Sequence, residues 1–340
     1  MKLALSFRMD HMPVALPAAP SATIDPEPLD IGGFLRDIGR GREGARSLDA
    51  ARARTLFDAI LAGRVGELET GGVLIALRMK GESVDELEGA LAAAHDWLEP
   101  VPVDASRPAV AIPSYNGARN QANLTALLAC LLADAGVQVV VHGVLEDPKR
   151  TTTAQVMRAL GLGGCASAAE ARRAIGRREP AFVPIDALSP RLAALLAMRW
   201  RLGVRNVGHT LVKLLNPTDS PACLRICAYT HPEFNLLQHA LFERTGAPAL
   251  ILRGTEGEVV AGTRRVPQID WMHDGVCEPL VPAQTTPMGA APDLPPAHDA
   301  GATAVWIRSV LAGERAVPEA IARQVQAVLR ATGAERAVPA

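Results

Sequence analysis

Between residues 30 and 100 the apolar positions recur at helical spacing. Leu56, Phe57, Ile60 and Leu61 share one face, and Gly63 stands where such a helix should stop. A second periodic stretch runs from Glu67 to Met79, turns Val73, Leu74 and Leu77 inward, and ends at Lys80-Gly81. Ser83 followed three residues later by Glu86 predicts a capping box at the start of a third helix. Residues 100–108 read as a proline-bounded linker. Beyond it, short apolar runs alternate with helical ones. Residues 109–112 and 137–141 predict buried strands around a helix at 124–135, a βαβ unit that implies a parallel sheet. Further strands are expected at 181–184, 224–228 and 249–252, and helices at 191–202 and 235–245. Residues 279–298 read as a Pro-rich loop, and two helices near 302–311 and 318–331 close the chain. There is no internal repeat.

This pattern predicts an α/β protein: a small N-terminal α-helical domain and a larger α/β domain with a mainly parallel central sheet. The expected division is a disordered leader at 1–28, a helical domain at 29–103, and an α/β domain made of 108–184 and 206–335. A later helical segment around 185–205 is expected to pack on the helical domain.

Composition adds constraints. The chain of 340 residues is 49% hydrophobic and 21% charged, within the ordinary globular range. No apolar run approaches the roughly 20 residues that span a bilayer. The short run after Lys2 is broken by Arg8, Asp10 and His11, too early for a signal peptide. The five cysteines are scattered, which points to a cytoplasmic compartment, and Cys223 and Cys227 read as buried thiols. Net charge is −1, but its distribution is uneven. From Arg107 to Lys213 there are fourteen Lys/Arg against six Asp/Glu, a surplus of eight, so the remainder carries −9. That separation favours an anionic partner for the middle segment.

Within this segment, residues 113–125 read PSYNGARNQANLT. A strand, a small-residue loop and a helix start in that order make an anion site, because N–H groups at a helix N-terminus lack internal partners. Gly117 permits a tight turn, Arg119 adds charge, and Asn123 is placed to cap the helix. Lys149-Arg150, between Pro148 and Thr151-Thr152-Thr153, could begin a second helix with free N–H groups. His142, His209 and His231 read as satisfied structural histidines. Glu256 and Glu258, in a turn between strand candidates, read as solvated carboxylates with weak metal-binding potential.

Several long segments carry a resemblance. AILAGRVGELETGGVLIALRMKGES, inside residues 54–91, is similar to the helical domain of anthranilate phosphoribosyltransferases and nucleoside phosphorylases of glycosyltransferase family 3. LGVRNVGHTLVKLLNP resembles that family's link between its helical and α/β parts. IPSYNGARNQANLT, HGVLEDPKR, AMRWRLGVRN and GTEGEV resemble the YbiB-type branch. The resemblance implies the fold above, a homodimer formed through the helical part, and nucleic-acid binding in place of demonstrated transferase activity.

The sequence departs from the family's catalytic pattern. A GTGGD loop is replaced by Ser114-Tyr115-Asn116-Gly117-Ala118, with one glycine for three. Asn123, Leu124 and Thr125 keep the second part of that motif. The family's KHGN becomes Val141-His142-Gly143-Val144, without the lysine and asparagine. The adjacent Asp-Glu metal pair falls at Glu256-Gly257-Glu258, where the carboxylates are separated. Arg199 matches an arginine that meets the aromatic acceptor in catalytic relatives.

The expected function is therefore largely sequence-independent binding of a nucleic-acid phosphate backbone, DNA or RNA, with transferase activity lost. No zinc finger or base-stacking motif is visible, and aromatics are only 4% of residues. Lys and Arg would neutralise phosphates and release counterions. The candidate phosphate-binding residues are Asn116, Gly117, Arg119, Asn123, Thr125, Lys149, Arg150, Arg199, Arg201 and Arg205, and no cofactor is required. The alternative is a family-3 phosphoribosyltransferase acting on another substrate, with Glu256 and Glu258 on Mg²⁺. A third reading is a dimeric scaffold without a small ligand.

Overall fold

The computed structural model describes residues 29–41, 43–285 and 293–334; the expected leader at 1–28 lies outside them. Four helices come first: α1 (Ile31–Ile38), α2 (Ala50–Leu61), α3 (Glu67–Lys80) and α4 (Val84–Asp96). Asp30 and Asp49 accept from free N–H groups at the starts of α1 and α2, and Ser83 with Glu86 forms the expected capping box. Glu86 also takes the Lys80 ammonium at 2.7 Å and the Leu48 N–H at 3.0 Å, so the box ties three segments together.

The alternating part follows as β1 (Ala109–Ser114), α5 (Thr125–Asp134), β2 (Gln138–Gly143), α6 (Thr153–Leu160), α7 (Ala168–Gly176) and β3 (Ala181–Pro184). Four short helices then turn the chain back: α8 (Ile185–Leu188), α9 (Pro190–Ala197), α10 (Arg199–Leu202) and α11 (Gly208–Leu211). Leu192, Leu195 and Leu196 join the same apolar cluster as Leu56, Leu74 and Leu87 of the N-terminal helices. The expected helix at 191–202 is thus two, broken at Met198. The chain continues through β4 (Leu224–Tyr229), α12 (Pro232–Thr245), β5 (Ala249–Thr255), β6 (Glu258–Ala261), β7 (Ile269–His273), β8 (Val276–Val281), α13 (Ala300–Leu311) and α14 (Glu319–Thr332).

The sheet runs β3-β2-β1-β4-β5-β7-β8, with β6 paired to β5. The first five strands are parallel, and β6, β7 and β8 are antiparallel. Apolar clusters cover both faces, as a parallel sheet requires. The pattern of apolar residues did not announce β7 or β8. β7 mixes Asp270 and His273 with apolar residues, and β8 contains Pro279, which a strand tolerates only at the sheet edge, where β8 lies. The expected loop at 279–298 therefore begins inside a strand.

The connection from β1 passes to β2 on one side, while β4 joins β1 on the other. Ligands of open α/β sheets bind beyond the carboxyl ends of strands at such a switch point. The segment 114–124 lies there. No helix among the described residues is long and apolar enough to cross a membrane.

Candidate functional site

The loop after β1 is held from three sides. Gly117 has φ +66°, and a Cβ there would stand 2.9 Å from the Thr151 carbonyl, so glycine is required both by conformation and by space. Ala118 exchanges backbone hydrogen bonds with Thr151. The Asn123 amide donates to the Thr151 carbonyl, while its oxygen accepts from the Thr125 N–H and the Thr153 hydroxyl. Helix α5 begins one residue later than a cap at Asn123 would require, with Leu124 at the cap position. The side chains of Asn123 and Thr125 are buried and bonded internally, so they do not face the cleft as phosphate ligands.

The third side is the β5–β6 hairpin. Glu256 and Gly257 form its tip, with φ of 54° and 85°. A Cβ at Gly257 would collide with the Asn116 side chain, so the tip must approach without one. This approach drives two carboxylates into the loop. Glu258, 1% exposed, accepts from the Asn116 and Gly117 N–H groups at 2.9 and 2.7 Å and from the Thr125 hydroxyl at 3.4 Å. Glu256 accepts from the Arg119, Asn120 and Gln121 N–H groups at 3.2, 2.9 and 3.0 Å. With Ala118 bonded to Thr151, every backbone N–H from Asn116 to Gln121 has an internal acceptor.

The anion cradle read from the sequence is therefore formed, but its amide groups are taken by the protein's own anions. Glu256 and Glu258 are not solvated turn residues. They also do not fit a Mg²⁺ site as placed, because their oxygens face hydrogen-bond donors and the Arg150 guanidinium, 3.7 Å from Glu256.

Cations gather around this anchor. Arg150 donates to the Gly117 carbonyl at 3.1 Å, and Arg205 donates to the Asn116 side-chain oxygen. Arg199 pairs with Asp147 at 3.3 Å and lies 4.1 Å over the Trp200 ring. Burial lowers the affinity of Arg205 for its proton, and the like charges of Arg199 and Arg150 lower it further. Lys213 is pushed down to about 8 by burial and by Arg205, with Glu258 opposing. His209 is brought down to about 3 by burial and the same cations, so it stays neutral. Arg119 and Lys149 are exposed on the rim without an ion-pair partner among the described residues.

Against α9–α10 is a cleft of ≈ 240 Å³, lined in part by Tyr115, Asp147, Asp186, Arg199, Trp200 and His209; Arg199 is the member of the cation cluster that lines it. Arg150 and Arg205 thus bind the loop itself, and Arg199 lines the cleft beside it. Arg201 does neither: it pairs with Glu67 at 2.8 Å and lines a separate apolar groove. At the helix after Lys149-Arg150, Thr152 and Gln155 form a capping box that takes the N–H groups of Thr152 and Gln155.

Other candidates resolve as follows. His142 is fully buried and held down to about 3 by burial; its Nδ1 lies 2.9 Å from the Tyr115 hydroxyl, but its Nε2 has no partner. His231 is exposed rather than buried. Cys223 and Cys227 are buried thiols, pushed up to about 11 and about 12 by burial. The sequence reading missed Lys213 and Asp147, and it missed the role of the two glutamates. The Glu-Gly-Glu turn was visible, but nothing local indicates that its carboxylates meet amides some 140 residues earlier.

Residues 34–96 match the helical bundle domain of the glycosyl transferase family. The chain is 42% identical over 306 residues to uncharacterized protein YbiB of Escherichia coli (strain K12), covering 90% of this chain and 95% of that protein. It is 31% identical over 221 residues to anthranilate phosphoribosyltransferase 2 of Ralstonia nicotianae, covering 65% and 63%. The crystal structure of anthranilate phosphoribosyltransferase from Thermus thermophilus superposes with a TM-score of 0.67 at 26% identity, over 87% of this chain and 88% of that one.

Proposed function

The chain belongs to the YbiB and anthranilate phosphoribosyltransferase-like members of the glycosyl transferase family, and from that membership we propose that its switch-point cleft binds a ribose-phosphate ligand. The observation that carries this reading is the crowding of like charge. Arg205 and Lys213 are buried among like charges: beyond burial, Arg199 and Arg150 lower the proton affinity of Arg205, and Arg205 and Arg150 lower that of Lys213, with Asp147 and Glu258 opposing. With Arg119 and Lys149 on the rim, a bound phosphate group would relieve that repulsion. The neutral His209 and the Trp200 ring would line the non-phosphate end of the ligand.

In this reading the protein is a phosphoribosyltransferase-like binder, and the phosphate meets guanidinium and ammonium groups rather than loop amides. The relatives named above as anthranilate phosphoribosyltransferases favour a small phosphoribosyl compound. A second reading, contact with a nucleic-acid backbone, is supported by two observations. Glu256 and Glu258 already fill the amides that a pyrophosphate group would use. The cationic surplus of the middle segment extends to the exposed Arg119 and Lys149.

The test is a calorimetric titration with phosphoribosyl pyrophosphate, with and without Mg²⁺, beside anisotropy of a labelled single-stranded oligonucleotide at several salt concentrations. Saturable, Mg²⁺-independent binding of the small ligand supports the first reading. Oligonucleotide binding that falls linearly in log–log with salt supports the second. In either case R119E/K149E should weaken binding at least ~10-fold, and unchanged binding in that variant rejects the cleft as the site. Arg150 is unsuitable for charge reversal because it holds the loop.

We further propose that the helical part forms a homodimer. A groove of ≈ 1450 Å³ lies between α1, α3 and α10, lined by residues that include Leu35, Leu68, Ile75, Met79 and Leu202. Leu68 is 84% exposed and Met79 77% exposed, and Gly71 and Gly72 leave the groove floor open to close approach. A second copy presenting the same patch would cover it.

A further inference from the structure

Helix α12 packs on β7 and β8 at the antiparallel end of the sheet. Asp270 pairs with Pro279 and Met272 with Cys277, so Asp270 and Cys277 project from the same face of the sheet. His239 of α12 meets them there. Its Nε2 lies 3.2 Å from an Asp270 oxygen, and ligand atoms of His239, Asp270 and Cys277 all fall within 4.8 Å of one another. No other such group of three occurs among the described residues.

The surroundings orient these atoms. His239 Nδ1 is 2.9 Å from the Asn235 carbonyl, one turn earlier, to which it must donate. In the neutral ring this leaves Nε2 as a lone pair facing a carboxylate. Two acceptors 3.2 Å apart need a cation between them, either a proton on the imidazole or a metal ion. The Gln268 amide donates to both Asp270 oxygens, at 2.8 and 3.0 Å, and fixes the carboxylate. A carbonyl behind the imidazole and an amide behind the carboxylate are the supports that metal ligands have in established sites.

We propose that His239, Asp270 and Cys277 form a divalent transition-metal site of the zinc class, with water in the fourth position. Imidazole nitrogen, carboxylate oxygen and thiolate sulfur together are a donor set for Zn²⁺, whose bonds of ~2.0–2.3 Å place tetrahedral ligand atoms ~3.3–3.8 Å apart. The His–Asp separation of 3.2 Å lies just short of this range, and a small side-chain rotation opens it while another brings the sulfur in. Binding releases the Cys277 proton and the proton that His239 Nε2 shares with Asp270 to solvent, and forms sulfur–metal and nitrogen–metal bonds in their place. His239 is 19% and Asp270 9% exposed in their side chains, so the ion has a route in. Its structural effect is to fasten α12 to the antiparallel edge of the sheet.

The test uses the full chain, stripped with chelator and titrated with Co²⁺ as a spectroscopic probe. One equivalent should produce a thiolate-to-cobalt charge-transfer band in the near ultraviolet together with four-coordinate d–d absorption, both removed by Zn²⁺. C277S should lose the charge-transfer band and bind Zn²⁺ at least ~10-fold more weakly, with an unchanged circular dichroism spectrum. The other four cysteines are buried and do not compete. No band at excess Co²⁺, or a band that survives in C277S, overturns the proposal and leaves His239–Asp270 an ion pair with protonated imidazole.

Discussion

Replacing Glu258 by alanine tests the central claim about the loop, that a carboxylate from the β5–β6 hairpin holds it in shape. In the native protein this side chain is 1% exposed and accepts two backbone N–H groups at 2.9 and 2.7 Å. Alanine leaves both amides buried without an acceptor, at about 1–3 kcal/mol each. It also removes the negative charge that supports protonated Lys213. Against this stands the relief of no longer burying a carboxylate. The expected net loss is about 3–5 kcal/mol, a large share of the ~5–15 kcal/mol that stabilises a typical protein. E258Q keeps one acceptor oxygen and should lose about 1–2 kcal/mol, since neutral hydrogen bonds are weaker than charge-assisted ones. E256A should cost less than E258A, because its amides sit at the rim and water replaces the carboxylate. Urea unfolding followed by circular dichroism reads these differences as shifts in midpoint at constant slope. If E258A falls within about 0.5 kcal/mol of wild type, or if E256A is the costlier change, the loop is not organised by the buried carboxylate and the argument fails.

Two further outcomes follow from the charge and apolar surface. Lys213 binds its proton less readily when folded, at about 8 against an unfolded value near 10.5, so the unfolded chain holds more protons between those values. Stability should therefore be penalised below pH ~8 and recover as pH rises from there toward ~10.5, and K213M should remove this dependence while stabilising the protein by about 1–3 kcal/mol at neutral pH; a flat difference between the two proteins across that window rejects the assignment. L68E/M79E, placed in the exposed groove of the helical part, should convert the proposed dimer to a monomer with an unchanged circular dichroism spectrum, as read by light scattering after gel filtration; a wild-type monomer, or a variant that remains dimeric, removes that interface.

The local code of the chain was sufficient for much of the fold. Helical periodicity in the first hundred residues gave three of the four N-terminal helices, and Ser83–Glu86 announced a start that the structure keeps. The five parallel strands were visible because burial on both faces makes each a largely apolar run, with only isolated polar residues such as Arg225 in β4. The antiparallel edge was not, since β7 and β8 carry mixed polarity and Pro279, and only their position at the sheet margin permits that. The same division holds at the site. Residues 113–125 declared a strand, a turn and a helix start, and hence a row of amides in need of acceptors. What fills that row depends on a hairpin tip folded across the switch point, and spacing along the chain carries no record of such a meeting. Arg201 and Arg205 stand four residues apart in sequence, yet one faces Glu67 at the groove and the other Asn116 at the loop. Sequence thus determined which residues were charged, capping or apolar. Tertiary structure decided which of those charges face each other, because desolvation and ion pairing act on distances that only the packed fold sets.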